Sequence, residues 1–93
     1  MTIGILKLTL FIHNSNSLKA KRMVIHSLKA KLCNNFNVAV TQIDDEDKWQ
    51  KAILAVVGVE KTRDTMNRTL SRVINFIENF NPVGLIDHEM ELI

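Results

Sequence analysis

The stretch from Ser15 to Arg22 holds the residues best suited to chemistry, because two serine hydroxyls and three cations fall within it. Ser17 is a favourable N-cap, so a helix that begins after it would present free backbone N–H groups and a partial positive charge. Phosphate and carboxylate groups bind at such termini. The pattern predicts an anion or RNA site whose candidate residues are Ser15, Ser17, Lys19, Lys21, Arg22 and Lys29.

Lys21 is unusual among these cations, because helical spacing places it in an apolar stripe with Ile25 and Leu28. Its ammonium group must extend around the end of a sheet or pair with a carboxylate such as Asp44 or Asp47. The basic cluster therefore has a second interpretation, an internal ion pair surrounded by solvated lysines, since most surface charge clusters are weakly paired.

The acidic residues 44–47, with His13 nearby, could form a site for a hard metal ion. They lack the alternating ligands, central Gly and terminal Glu of a calcium loop, and the three histidines form no His-x-x-x-His pair. Cys33, the only cysteine, has no evident activating histidine and is predicted to pack in the interior. The sequence thus predicts no catalytic residue, no metal site and no cofactor, and it favours a binding or assembly role over an enzyme.

Charge is distributed unevenly along the chain, although the formal net charge is only +2. Residues 1–43 carry six Lys or Arg and no Asp or Glu, whereas residues 44–93 carry six basic and ten acidic residues. Because the local field steers association more than net charge does, the asymmetry indicates an anionic partner.

A small domain must position these residues. A chain of 93 residues that is 46% hydrophobic, with three Gly and one Pro, has material for one packed core, so residues 1–93 are predicted to form a single domain. The single cysteine and the absence of a signal-peptide pattern predict a reducing, cytoplasmic setting. The apolar runs are far shorter than the roughly 20 residues that span a bilayer, so no membrane partner is expected.

Hydrophobic periodicity predicts six elements. Alternation with a period of two predicts strands at residues 2–12, 37–43, 49–59 and 85–93. Helical spacing predicts one helix from residue 18 to about 34 and another from a cap at Thr62 or Asp64 to about residue 79. In the last strand, the alternation places Ile86 and His88 on the inner face, with His88 half-buried and hydrogen-bonded.

The order of these elements, βαββαβ, is that of α+β ferredoxin-like folds. It predicts a four-stranded antiparallel sheet of order 4-1-3-2 with two helices on one face. This topology brings the turn after the first strand, the acidic residues 44–47 and the turn at Asn81-Pro82 to one end of the sheet. The other face stays open, with Ile3 and Ile5 on it, and could serve a protein partner or a second copy.

RNA-recognition motifs share this topology and stack bases on aromatic residues in the central strands. The third strand here, Gln50 to Val57, contains no aromatic residue, and Phe11 and Trp49 lie near strand ends. Carboxylates of the last strand would also repel phosphate. The sheet face is therefore not predicted to bind RNA.

Four segments spread along the chain carry a family resemblance: Ser17-Leu18-Lys19-Ala20-Lys21-Arg22, Phe36-Asn37-Val38, Asp47-Lys48-Trp49-Gln50-Lys51-Ala52 and Asp87-His88-Glu89-Met90-Glu91. Together they resemble the YlxP-like family of small bacterial domains of unknown function. The resemblance implies a ferredoxin-like fold and no catalytic residues. Because such domains are often encoded beside ribosome-maturation and translation factors, it also implies a ribosome-linked role. His13-Asn14 departs from the family pattern, which has a Pro-Gly-like pair at this turn.

Taken together, these features predict a non-enzymatic accessory domain that binds structured RNA or a ribosomal particle through its basic first helix. The alternative is a homo-oligomeric or protein-binding module that uses the open sheet face.

Overall fold

A computed structural model of the chain describes residues 1–44, 48 and 50–93. The elements are β1 (Thr2–Ile12), α1 (Leu18–Asn35), β2 (Val38–Gln42), β3 (Lys51–Glu60), α2 (Arg63–Glu78) and β4 (Val83–Leu92). The strands form one antiparallel sheet of order β2-β3-β1-β4. The predicted βαββαβ fold and its order 4-1-3-2 are confirmed.

The core lies between the sheet and the two helices. Alternation along β1 sends Leu6, Leu8 and Leu10 to the helix-covered side, where none has any exposed surface. The helices complete this core with Ile25, Leu28, Leu32, Met66, Leu70, Val73 and Ile77. Full burial of one such side chain stabilises the fold by about 1.5–3 kcal/mol, so the shared core holds both helices on one face.

Each helix begins at a side-chain cap. The Ser17 hydroxyl accepts a hydrogen bond from the Ala20 N–H at 3.0 Å, as the sequence predicts. The Thr62 hydroxyl accepts one from the Thr65 N–H at 3.1 Å, so Thr62 rather than Asp64 caps α2. A cap of this kind contributes about 1 kcal/mol and fixes where the helix starts.

Two expectations for β4 are wrong. Leu85 pairs with Leu10 and Asp87 pairs with Thr9, which leaves Ile86 as the extra residue of a β-bulge. Ile86 is 60% exposed instead of facing the core. His88 is exposed rather than half-buried, because β4 is an edge strand with only one neighbouring strand to shield it.

In the described part of the chain, neither helix combines the length and apolar character that crossing a membrane requires.

Candidate nucleic-acid interface

The outer surface of α1 carries a row of basic residues. Residues spaced three and four apart share one side of a helix. This spacing aligns four exposed basic residues, here called the basic face: Lys19, Arg22, His26 and Lys29. None of the 18 residues of α1 is acidic. Like charges at these spacings destabilise a helix by roughly 0.2–0.5 kcal/mol per pair, so an anion bound along the row would relieve the repulsion.

A shallow groove runs between α1 and the edge strand β2. Its volume is about 230 Å³, and its lining includes Arg22, His26 and Lys29 on the helix side and Thr41 and Gln42 on the strand side. Sites for small molecules usually enclose about 300–1,000 Å³, so this groove is small for an enclosed ligand. An open groove with three basic side chains on one wall fits a phosphate that belongs to a larger molecule.

The two predicted serines make internal bonds. Ser17 caps α1, and the Ser15 hydroxyl, in a residue only 8% exposed, donates a hydrogen bond to the Ser17 carbonyl at 3.2 Å. Their hydroxyls thus organise the turn that starts the helix. The exposed cations of the predicted set are Lys19, Arg22 and Lys29, and direct contact with an anion remains a prediction for these three.

Lys21 lies in the core, where the spacing places it. It is 2% exposed, and its ammonium donates a hydrogen bond to the backbone carbonyl of Lys48 at 2.6 Å. This bond joins the first turn of α1 to the connection between β2 and β3. The predicted proximity of these two segments is confirmed, but a side chain directed inward is poorly placed to meet an external anion.

The ion-pair interpretation suggested Asp44 as a partner for Lys21, but the Asp44 carboxylate bonds to other groups. One Asp44 carboxylate oxygen accepts hydrogen bonds from the Gln42 side-chain amide at 2.9 Å and the Ile53 N–H at 3.0 Å. It therefore closes the end of the β2–β3 ladder, while Lys21 bonds to a carbonyl instead. The suggested pairing with Asp47 lies outside the described residues.

The metal site considered for residues 44–47 and His13 also falls largely outside the described residues. The structure does not describe Asp45, Glu46, Asp47 and Trp49. Within residues 1–44, 48 and 50–93, no group of three or more His, Cys, Asp or Glu side chains is placed to hold a metal ion. Of the two described residues in that hypothesis, Asp44 closes the ladder and the His13 ring lies edge-on to Phe11, with centroids 5.0 Å apart.

Three further residues of α1 lie outside the predicted site. Helical spacing places His26 beside Lys19, Arg22 and Lys29, and the structure shows it exposed on that side. The Lys31 ammonium lies 5.1 Å from the centroid of the Phe80 ring, a contact between α1 and the turn that follows α2. Cys33 is exposed, so its prediction as an interior residue is wrong.

Acidic side chains lie at the far edge of the sheet. Asp87, Glu89 and Glu91 belong to β4, whereas the groove beside the basic face borders β2 at the opposite edge. These carboxylates therefore lie away from the basic face and repel a polyanion at α1 less than carboxylates beside the groove would.

The amino-acid sequence matches a family model described as a protein of unknown function (DUF503) over residues 3–90. The chain belongs to the DUF503 family. The chain is also similar to the uncharacterized protein YlxP of Bacillus subtilis (strain 168), at 32% identity over 78 residues, which cover 84% of this chain and 85% of that protein. The resemblance to YlxP-like domains is confirmed.

Solved structures share the DUF503 fold at low identity. The de novo designed protein Foldit4 superposes with a TM-score of 0.55 at 9% identity, over 100% of this chain and 97% of the design. A variant of SnoaB, a cofactor-independent oxygenase from Streptomyces nogalater, gives 0.52 at 14% identity, over 99% of this chain and 90% of SnoaB. Likenesses at these identities support the architecture alone, because one fold hosts many functions.

Proposed function

We propose that this DUF503 chain is a non-enzymatic, cytoplasmic accessory domain that binds structured RNA through the basic face of α1. The RNA is either free or part of a ribosomal particle. One observation carries the proposal: α1 contains five Lys or Arg and no acidic residue over 18 positions, and three of them, Lys19, Arg22 and Lys29, line one exposed side together with His26.

The length of the row favours a polyanion over a small ligand. Ten residues separate Lys19 from Lys29, and a helix rises about 1.5 Å per residue, so the row extends for roughly 15 Å. That distance exceeds what one phosphate group can satisfy. Successive phosphates along an RNA backbone would neutralise several of these cations at once.

The packing of Phe36, Phe76 and Phe80 favours paired RNA over single strands. Sequence-specific binding of single-stranded RNA stacks bases on aromatic side chains. Phe76 lies 6.0 Å from Phe36 and 5.9 Å from Phe80, centroid to centroid, so these rings pack on one another. Double-stranded RNA is recognised by shape, phosphates and 2′-hydroxyls, which needs no aromatic platform.

The first prediction tests the proposal by charge reversal. In the double variant Lys19→Glu/Arg22→Glu, binding to ribosomal subunits and to protein-free ribosomal RNA should weaken at least about tenfold, equivalent to about 1.4 kcal/mol. The physical reason is that two phosphate contacts become repulsions. Co-sedimentation at a fixed moderate salt concentration measures the change.

The matched control is Lys61→Glu/Arg63→Glu, which alters the net charge equally at two exposed residues away from α1. It should bind nearly as well as the wild type. Equal losses in both variants would mean that only overall charge matters, and an unaffected Lys19→Glu/Arg22→Glu variant would contradict the proposed site.

A further inference from the structure

The sheet face that points away from the helices carries a group of apolar side chains on its two central strands, β1 and β3. Directly paired residues of neighbouring strands share a face, and the β1–β3 register puts Ile3 opposite Val59, Ile5 opposite Val57, and Thr9 opposite Ile53. Phe11 lies on the same side near the end of β1. We call this the open sheet face, defined by Ile3, Ile5, Phe11, Ile53, Val57 and Val59.

Exposed apolar side chains concentrate on the open sheet face. Val57 and Val59 are 39% and 45% exposed. Backbone pairing with Ile53 and Ile3 places Ile43 and Ile93 at the margins of this face, and these two are 52% and 62% exposed. Four of the seven large apolar residues that are exposed in the described chain thus share one surface. Single exposed apolar residues need no explanation, but a contiguous patch marks an interaction surface.

We propose that the open sheet face binds a second copy of this chain in a two-fold symmetric dimer. The dimensions suit such a contact. The four strands contain 11, 5, 10 and 10 residues, and each strand residue occupies about 3.3 Å × 4.8 Å of the sheet, so the face covers roughly 570 Å². This area is somewhat below the roughly 800 Å² per partner of a standard interface, and Ile43 and Ile93 extend it at the margins.

The charges on the open sheet face complement one another. In a two-fold contact the same patch meets itself, so a surface with only one sign of charge repels its partner. Lys7 and Lys51 share this face with the acidic residues of β4, since Lys7 pairs directly with Glu89 and lies between Asp87 and Glu91 along the strands. Cations of one copy can therefore meet carboxylates of the other. The basic face of α1 has no such balance and would repel a second copy.

Edge-to-edge assembly through β4 is disfavoured. Two copies of this strand in antiparallel register would bring their carboxylates, Asp87, Glu89 and Glu91, close together, and like charges on adjacent strands are destabilising. The bulge at Ile86 also interrupts the regular edge. Face-to-face packing of the two sheets avoids both obstacles.

The dimer is independent of the proposed RNA contact, because the helices and the open sheet face lie on opposite sides of the sheet. Face-to-face packing directs the two α1 helices outward on opposite surfaces. A dimer would then carry two basic faces, and a single RNA long enough to reach both would bind with increased avidity.

Sedimentation velocity of the purified full chain, without RNA and over a concentration series, tests the dimer. The wild type should sediment as a dimer at high concentration. Val57→Glu places a charge in the centre of the patch and should raise the dimer dissociation constant at least about 100-fold, giving a monomer. If Val57→Glu impairs folding, Val59→Lys at a second exposed position provides the test instead. It should also give a monomer.

The control is Met23→Glu, which changes an apolar residue that is 65% exposed on α1. This variant should remain dimeric. A wild type that stays monomeric at the highest concentration would overturn the dimer and leave the RNA proposal intact. A dimer that survives both Val57→Glu and Val59→Lys, each shown to be folded by circular dichroism, would also overturn it.

Discussion

Replacing Gly4 with valine is expected to lower the free energy of unfolding by about 3 kcal/mol, the upper part of the range for overpacked cores. A Cβ atom at Gly4 would lie 2.7 Å from Met66 Cγ and 2.8 Å from Leu70 Cδ1. Both side chains have no exposed surface, so neither can move aside without disturbing the core. Gly58 lies directly opposite on β3, and its Cβ would meet Met66 Cε at 2.8 Å. The two glycines together form the space that Met66 occupies.

Gly84 supplies the matched control. A Cβ there would lie 2.8 Å from His13 Nε2, but His13 is exposed and can rotate into solvent. Gly84→Val should therefore change stability by no more than about 0.5 kcal/mol, as most surface substitutions do. Urea unfolding at equilibrium gives both values.

Shortening Met66 should offset part of the stability loss caused by Gly4→Val. In the double variant Gly4→Val/Met66→Ala, the loss should be smaller than the sum of the two single losses, because the added methyls occupy the space vacated by Met66. Additive losses, or equal losses for Gly4→Val and Gly84→Val, would contradict this packing.

Reversing the charge at Lys21 is expected to destabilise the fold by at least about 3 kcal/mol, the scale for an uncompensated buried charge. In Lys21→Glu, a carboxylate in a 2% exposed position would face the Lys48 carbonyl, which offers it no donor. Lys21→Met retains the apolar stem and removes only the ammonium, so it should change stability by about 1 kcal/mol or less. Thermal and urea unfolding measure both variants.

The Lys21→Met variant also separates a structural role from a binding role. The Lys21 ammonium bonds inward, so removing it should leave affinity for ribosomal RNA unchanged. A Lys21→Met protein of normal stability that binds RNA much more weakly would show that this ammonium contacts the ligand.

Most of the fold could be predicted from periodicity. Strand β1 alternates so regularly that its ends match the prediction, and Ser17 identifies where α1 begins. For α2 the sequence offers Thr62 and Asp64 as caps, and the structure selects Thr62. The bulge could not be predicted, because Ile86 and His88 continue the alternation of β4 and only pairing with β1 reveals the extra residue. Local pattern therefore predicts elements well, and register between strands less well.

The candidate site could also be predicted only in part. Helical spacing alone places Lys19, Arg22 and Lys29 on the outer surface of α1 and Lys21 in the core. The partner of Lys21 could not be predicted, because it is a backbone carbonyl 27 residues away in the chain. A carboxylate is the partner that residue types suggest, whereas carbonyl positions depend on the path of the loop.

The salt dependence of RNA affinity tests the central claim most directly. Binding of a stable RNA hairpin should be measured over a series of salt concentrations for the wild type, Arg22→Gln and the control Arg63→Gln. Each phosphate contact contributes about 0.7–0.9 to the slope of log affinity against log salt, so three exposed cations predict a wild-type slope of about −2 to −3. Arg22→Gln should make the slope shallower by about 0.7–0.9, the contribution of one phosphate contact. Arg63→Gln should leave the slope unchanged. A flat wild-type slope, or one that Arg22→Gln does not alter, would contradict binding through α1.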